Sequence, residues 1–214
     1  MRKDIVENWL TSNGYSVHDS QLLQMAQFQD MVLTAPMNLT AIKDDEGFAI
    51  KHFVDSLSIL PWVEKLESGA SCIDIGTGAG FPGIPLKLVC PGLNTTLLDS
   101  LLKRILFLRG VVDKLGLQGV ECIHARVEDF TKAKGASYDL AIARAVAALG
   151  KLAEYALPLV MPSGIFLAMK GPDVEAEVQE AKPVIERLGA VVEAVETVEI
   201  HPGIGRSVVV VRKL

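Results

Sequence analysis

Cysteine is scarce in this chain. Cys72, Cys90 and Cys122 are odd in number, far apart, and none stands in a C-x-x-C pair. That pattern offers no metal knuckle, so no metal is expected, and it points to a reducing cytosol. Long apolar runs are also missing, so no membrane partner is expected. The amino terminus, Met-Arg-Lys-Asp-Ile-Val-Glu-Asn, is charged throughout and lacks the apolar centre of a signal peptide. There is no surplus of basic charge. Lys and Arg number 21 against 26 Asp and Glu, a net charge of −5. A general nucleic-acid coat is thereby disfavoured, but an enzyme gripping RNA through a local basic rim is not. Internal repeats and low-complexity tracts are absent. Half of the 214 residues are hydrophobic and 22% are charged, as in a folded protein with one ordinary core and room for an appendage.

What the chain does have is a glycine cluster behind an apolar run. Cys72-Ile-Asp-Ile-Gly-Thr-Gly-Ala-Gly-Phe-Pro-Gly-Ile-Pro85 reads as a strand, a tight turn and a helix starting near Pro82. Gly76, Gly78 and Gly80 tolerate positive φ and let a ligand approach the bare backbone. The spacing fits a dinucleotide fingerprint poorly, because the third glycine of G-x-G-x-x-G falls on Phe81. Asp74, two residues before Gly76, would repel a pyrophosphate and attract a cationic sulfonium. Asp-x-Gly-x-Gly-x-Gly resembles the first motif of the class I S-adenosylmethionine methyltransferases. A plain glycine-rich turn is the other reading of these residues.

The first 60 residues read as helical, an extension packed on the domain formed by residues 61–214. Ile5, Trp9 and Leu10 share one face; Leu22, Met25, Ala26, Gln29 and Leu33 share another, with Asn13-Gly14 between them and Pro36 as a stop. A third helix follows Asp44-Asp45, with Ile50, Phe53, Leu57 and Leu60 apolar and Pro61 closing it. Its other face, Lys51, His52, Asp55 and Ser56, reads as solvated. From Ser71 strands and helices alternate. Strands are expected over 72–75, 95–98, 120–125, 139–143, 165–169, 191–200 and 207–211, with helices over 101–115, 149–157 and 175–188. Gly116 is the expected stop of the first of these helices. The fold class is α/β: a Rossmann-like, mostly parallel seven-stranded sheet whose last strand, joined by the short turn His201–Arg206, returns antiparallel.

Ligands of such sheets sit beyond the carboxyl ends of the strands. Asp74, Asp99, Arg126, Arg144 and Lys170 follow or close parallel strands and should share one rim, and the hairpin brings Arg206 to it. Lys170, Arg206 and Arg144 there suit an anionic substrate, although rim charges are as often solvated or paired. Asp99, nineteen residues after Gly80, suits both hydroxyls of a ribose or an N-cap. Phe81 either covers a ligand or packs in the core. Val127-Glu128 suits an adenine, or Glu128 is an exposed helix-start acid. The fourth strand ends Ala-Ile-Ala-Arg-Ala-Val-Ala, without the acid or amide, prolines and aromatic usual in exocyclic-amine methyltransferases. No nucleophile–histidine grouping is offered by spacing, and no residue is assigned as general base. A ring nitrogen with its own lone pair would need none.

At this point the residues resemble the bacterial ribosomal small-subunit methyltransferase G family, also called glucose-inhibited division protein B. The likeness lies in Asn38-Leu39-Thr40-Ala41-Ile42, Lys51-His52-Phe53-Val54-Asp55-Ser56, Asp74 to Pro85, Leu97-Leu98-Asp99-Ser100 with Lys103-Arg104, Arg144-Ala145-Val146-Ala147 and Lys170-Gly171. It implies methyl transfer from S-adenosylmethionine to N7 of a guanine in 16S ribosomal RNA, met as RNA, small subunit or assembly intermediate. It further implies cofactor contacts from Gly76, Phe81, Val127-Glu128 and Arg144, and nucleotide contacts from Asn38, His52, Lys170 and Arg206. The site residues expected around the cofactor are thus Asp74, Gly76, Gly78, Phe81, Asp99, Val127, Glu128 and Arg144. A cytoplasmic monomer is expected. Two other functions fit the same sheet: a nucleotide-dependent oxidoreductase, opposed by Phe81 and Asp74, and a non-catalytic ribosome-binding module, opposed by the intact loop.

Overall fold

Seven strands form one sheet in the order β3-β2-β1-β4-β5-β7-β6. The strands are β1 (Ser71–Ile75), β2 (Asn94–Asp99), β3 (Val120–His124), β4 (Tyr138–Arg144), β5 (Val160–Lys170), β6 (Ala190–His201) and β7 (Ile204–Lys213). The computed structural model describes residues 1–144 and 147–214; Ala145 and Val146, quoted above within the Arg144–Ala147 string, lie outside the described residues. Pairing is parallel from β3 through β5, and β7 runs antiparallel between β5 and β6. The expected Rossmann-like architecture, with its last strand reversed, is present. The order reverses at β1 and β4, which opens a crevice at their carboxyl ends.

Alternation along the strands sorts side chains to two faces. Cys72, Leu97 and Leu140 face a cluster shared with α1 (Lys3–Ser12), α2 (Asp19–Thr34), α6 (Gly83–Val89) and α7 (Leu102–Leu115). Ile73, Ile75 and Ala141 face the other, with α9 (Leu149–Ala156) and α10 (Glu175–Arg187). The first cluster is continuous from Val6 and Leu10 through Phe28 to the sheet, so the amino-terminal helices share a core with the glycine turn. Phe28, Phe48 and Phe53 are fully buried; each stabilises by about 1.5–3 kcal/mol through burial. Gly116 takes φ +64° and ends α7 as expected.

Three local expectations are corrected. The stretch after Asp44 is not one α-helix: α3 (Asp45–Phe48) runs into a π-helical segment (Ala49–Val54), then α4 (Asp55–Leu57), and the chain turns before a short α5 (Leu60–Val63). Pro61 opens α5 instead of closing the previous helix, since its missing N–H costs nothing in a first turn. The face read as solvated is largely interior, because its polar groups find partners inside the protein: Asp55 and Ser56 are buried, Asp55 accepting from two arginines and Ser56 donating to the His52 carbonyl, and only Lys51 is exposed. A helix whose extent was not expected, α8 (Val127–Lys134), follows β3, with Glu128 in its first turn as the helix-start reading had it. It has no fully buried residue, so no apolar period announced it.

Candidate active site

The glycine turn leaves β1 with Gly76, Gly78 and Gly80 at φ +69°, +62° and +103°. The three are not equivalent. A Cβ on Gly80 would lie 2.8 Å from Ile84 Cγ1 and 2.9 Å from Leu108 Cδ2, so this glycine permits helix packing. A Cβ on Gly78 would meet nothing nearer than the Gly76 carbonyl at 3.9 Å, so this one faces open space. The turn is tied back to β2. The Gly76 and Thr77 amides donate to the Leu98 carbonyl at 2.9 and 3.1 Å, and the Gly78 amide donates to Asp99 Oδ2 at 3.0 Å.

Two cavities open at the carboxyl ends of the strands, and Gly76 lines both. The smaller, about 200 Å³, is lined by Ile75, Leu98, Asp99, Ser100 and Ala125–Glu128. The larger, about 430 Å³, is walled by Gly78 and Phe81 of the turn, by Leu39, Ile42, Lys51, His52 and Asp55 of the amino-terminal stretch, and by Arg144, Lys170 and Arg206. Asp99, Val127 and Glu128 thus come together in one space, and Gly78, Phe81, Arg144, His52, Lys170 and Arg206 in the other. Two expected residues line neither of the two. Asn38 is exposed beside Leu39. Asp74 lies inside β1 and not on the rim; it points into the core beneath the turn.

Asp74 holds the turn from below. Its Oδ2 accepts from the Thr77 hydroxyl at 2.7 Å and the Gly83 amide at 2.8 Å. Its Oδ1 is buried with no partner among the described residues. Burial pushes its pKa up to about 6, against the pull of those two hydrogen bonds and of Arg144. Asp99 is the upper latch. Oδ2 also accepts from Arg104 at 3.2 Å, and Oδ1 accepts from the Leu101 amide at 2.9 Å. The latch and the cavity-lining position coexist because a carboxylate has about four acceptor sites. Glu128 is occupied too, accepting from the Tyr155 hydroxyl at 2.8 Å.

Aromatic packing fixes the larger cavity's floor. His52 stacks on Phe81 with centroids 4.5 Å apart and planes 16° from parallel. The Arg144 guanidinium carbon lies 5.4 Å from the Phe81 centroid. Phe28, Phe48 and Phe53 surround the same ring at 5.0 to 6.1 Å. His52 Nε2 is 2.7 Å from the Thr40 hydroxyl, and Nδ1 is buried with no partner among the described residues. Burial, then the charge of Arg144, lowers the imidazole's pKa to about 4, so it is neutral at pH 7.

The rim cations do not stand free. Arg144 Nη1 donates to Asp55 Oδ2 at 2.8 Å and to the Lys51 carbonyl at 3.2 Å. Arg206 Nε donates to Asp55 Oδ1 at 2.6 Å. Lys170 Nζ donates to Glu177 Oε1 and the Ala147 carbonyl, both at 2.7 Å. Asp55 and Glu177 were missed as site residues. Asp55 sits among charged neighbours at helical spacing, which reads as solvent-facing, and only its place in the Lys-His-Phe-Val-Asp-Ser string singled it out. Glu177 carried no signal.

A family model described as "rRNA small subunit methyltransferase G" matches residues 21–205. The ribosomal RNA small subunit methyltransferase G of Alkaliphilus metalliredigens is 42% identical over 217 residues, covering 99% of this chain and 90% of that protein. Its counterpart from Acetivibrio thermocellus is 41% identical over 222 residues, covering all of this chain and 88% of that one. The chain belongs to this family. Membership in the small subunit methyltransferase G family sets aside the oxidoreductase and the non-catalytic module. A solved structure of TYW2 from M. jannaschii, in complex with AdoMet, superposes with a TM-score of 0.61 at 16% identity, covering 80% of this chain and 78% of that one. At that identity the likeness speaks for the fold. Among the described residues no helix is long and apolar enough to cross a membrane.

Proposed function

We propose that this methyltransferase G family member transfers the methyl group of S-adenosylmethionine to N7 of a guanine in 16S ribosomal RNA. The observation that carries the reading is the pair of cavities joined at Gly76, one beside a latched carboxylate and one under a neutral, aromatic and cationic wall. The residues suit that cofactor. Open space stands over Gly78, and an unpartnered carboxylate oxygen of Asp74 lies beneath the turn. Asp99 would hold the ribose, Val127 and Glu128 the adenine, Gly76, Gly78 and Phe81 the body of the cofactor, and Arg144 its carboxylate, which a guanidinium fits in a forked pair. S-adenosylmethionine, when bound, supplies a methyl group on a sulfonium. The N7 lone pair forms the new N–C bond while the S–C bond breaks with its electron pair left on sulfur. No proton moves, so no general base is assigned, and a neutral His52 fits a hydrogen-bonding role.

Asn38, His52, Lys170 and Arg206 would hold the nucleotide, with Asn38 reaching it from outside the cavity. What these residues supply is proximity, alignment and a partly dry pocket. The RNA is met free, in the small subunit or in an assembly intermediate, by a monomer in the cytoplasm. Incubation with labelled S-adenosylmethionine and small subunits from cells lacking the protein tests the reading. Label on a single guanine whose base yields 7-methylguanine is expected. Label on an exocyclic amine or a ribose would overturn it.

A further inference from the structure

The larger cavity poses an electrostatic problem. Four cationic side chains line it: Lys51 from the π-helical segment, and Arg144, Lys170 and Arg206 from β4, the end of β5 and the β6–β7 hairpin. They suit the phosphates of RNA. They do not suit the product of the step above, because methylation of N7 moves one positive charge from the donor onto the purine. Like charge raises the energy of that developing cation, and the partly dry cavity screens it weakly.

Two carboxylates answer this. Asp55, whose side chain is 2% exposed, divides its oxygens between Arg144 and Arg206. Glu177 meets Lys170 at 2.7 Å. Neither pair is a good source of stability, since burying an ion pair costs roughly what its attraction returns. Their geometry has another consequence. They fix where the guanidiniums and the ammonium point, and they cancel most of the field those groups cast across the cavity. Four cations face two carboxylates, which leaves an excess of two, Lys51 among them, for an incoming anion.

We propose that Asp55 and Glu177 are positioning residues that act as countercharges of the methyl-accepting wall, letting the same cations that attract RNA tolerate a purine gaining positive charge. The inference rests on the ring-nitrogen reading above. It assigns a function to two acids that touch cofactor and base only through their partners. Removing either acid should slow the chemical step without weakening RNA binding.

The test uses the full chain with small subunits from cells lacking the protein. Variants Asp55→Asn and Glu177→Gln keep size and one acceptor oxygen but lose charge. A unit charge exposed across the cavity, at an effective dielectric constant of about 20, is expected to lower kcat roughly 10- to 50-fold. The dissociation constant for subunits is expected to stay the same or tighten, and that for S-adenosylhomocysteine to change by less than about threefold. Adding Arg206→Gln to Asp55→Asn should recover kcat while KM for subunits rises. Purely structural anchoring predicts the opposite, a further loss. Should Asp55→Asn fail to fold, Glu177→Gln on its partly exposed helix start carries the same expectation. Subunit affinity falling in step with kcat in both variants, or no recovery in the double variant, overturns the proposal. Product mapping with the unaltered protein separates the two failures: a product other than 7-methylguanine sinks the parent reading, whereas 7-methylguanine with unresponsive variants sinks the countercharges alone.

Discussion

Replacing Asp74 with asparagine should make the free protein progressively more stable than the unaltered one as pH rises. The carboxylate is buried, its Oδ2 accepts two hydrogen bonds, and its Oδ1 has no partner among the described residues. Burial raises its pKa from 3.8 to about 6. A group whose pKa is raised on folding contributes stability that is full below its unfolded pKa and lost as pH rises through the folded one. The gap is about two pKa units, or about 3 kcal/mol. At pH 7 the folded chain therefore carries a charge that the unfolded chain holds more cheaply by that amount. Asparagine removes the charge and keeps an acceptor for Thr77 and Gly83, but puts an amide donor where Oδ1 stands unpartnered, at a cost of about 1–3 kcal/mol. At neutral pH the net effect is a variant about 0–2 kcal/mol more stable. The difference between the two proteins should shift by about 3 kcal/mol across the window from 3.8 to 6. Urea unfolding of both, from about pH 4 to pH 8, reads this directly, and His52 titrates alike in both and drops out. A flat difference, or one that moves toward the unaltered protein with rising pH, would refute the reasoning. The same variant should lose affinity for S-adenosylmethionine more than for S-adenosylhomocysteine, which lacks the sulfonium charge.

Four further outcomes are expected. His52 has its pKa lowered to about 4, so its contribution is present above the unfolded value of 6.5 and lost as pH falls toward 4; His52→Gln should abolish an acid-side loss of about 3 kcal/mol in urea unfolding. Asp99→Ala removes the acceptor for the Gly78 and Leu101 amides and for Arg104. Calorimetry should show S-adenosylhomocysteine affinity at least about tenfold weaker, with a smaller effect on melting. Gly80→Ala forces a Cβ to within 3 Å of Ile84 and Leu108 at φ +103°, which should cost about 2–4 kcal/mol in chemical denaturation. Gly78→Ala, with open space at its Cβ, should cost only about 1–2 kcal/mol and act mainly on cofactor affinity.

The sheet could be read from the sequence because its signals are local. Apolar runs ended at turn residues, helical spacing lay between them, and the short link before Ser207 forced a return. Strand lengths were underestimated at β5, β6 and β7, whose ends reach past the apolar stretch into polar residues such as His201 and Arg206. Gly76, Gly78 and Phe81 stand close together in the sequence, and their shared place at one cavity could be read with the sheet. What spacing could not show is the state of each charged group. Asp74 looks like a rim acid by position, yet strand alternation turns it into the core. Arg144, Arg206 and Lys170 look like free cations, yet each meets a carboxylate 7 to 151 residues away.

That distance explains why the amino-terminal helices cannot be an ornament on the methyltransferase sheet. Phe81 belongs to the glycine turn, but the rings around it come from α2, α3 and the π-helical segment. Asp55 leaves that segment and binds the ends of β4 and the last hairpin at once. Trp9 of α1 donates to the Glu199 carbonyl on the hairpin's other strand. The wall of the larger cavity therefore exists only when the first helices, the turn and the final strands are folded together. The π-helical segment carries His52 to the Phe81 ring, and α4, which it runs into, carries Asp55 to the arginines. Periodicity would have placed those residues on a regular surface, and the departure from periodicity is what makes them a site.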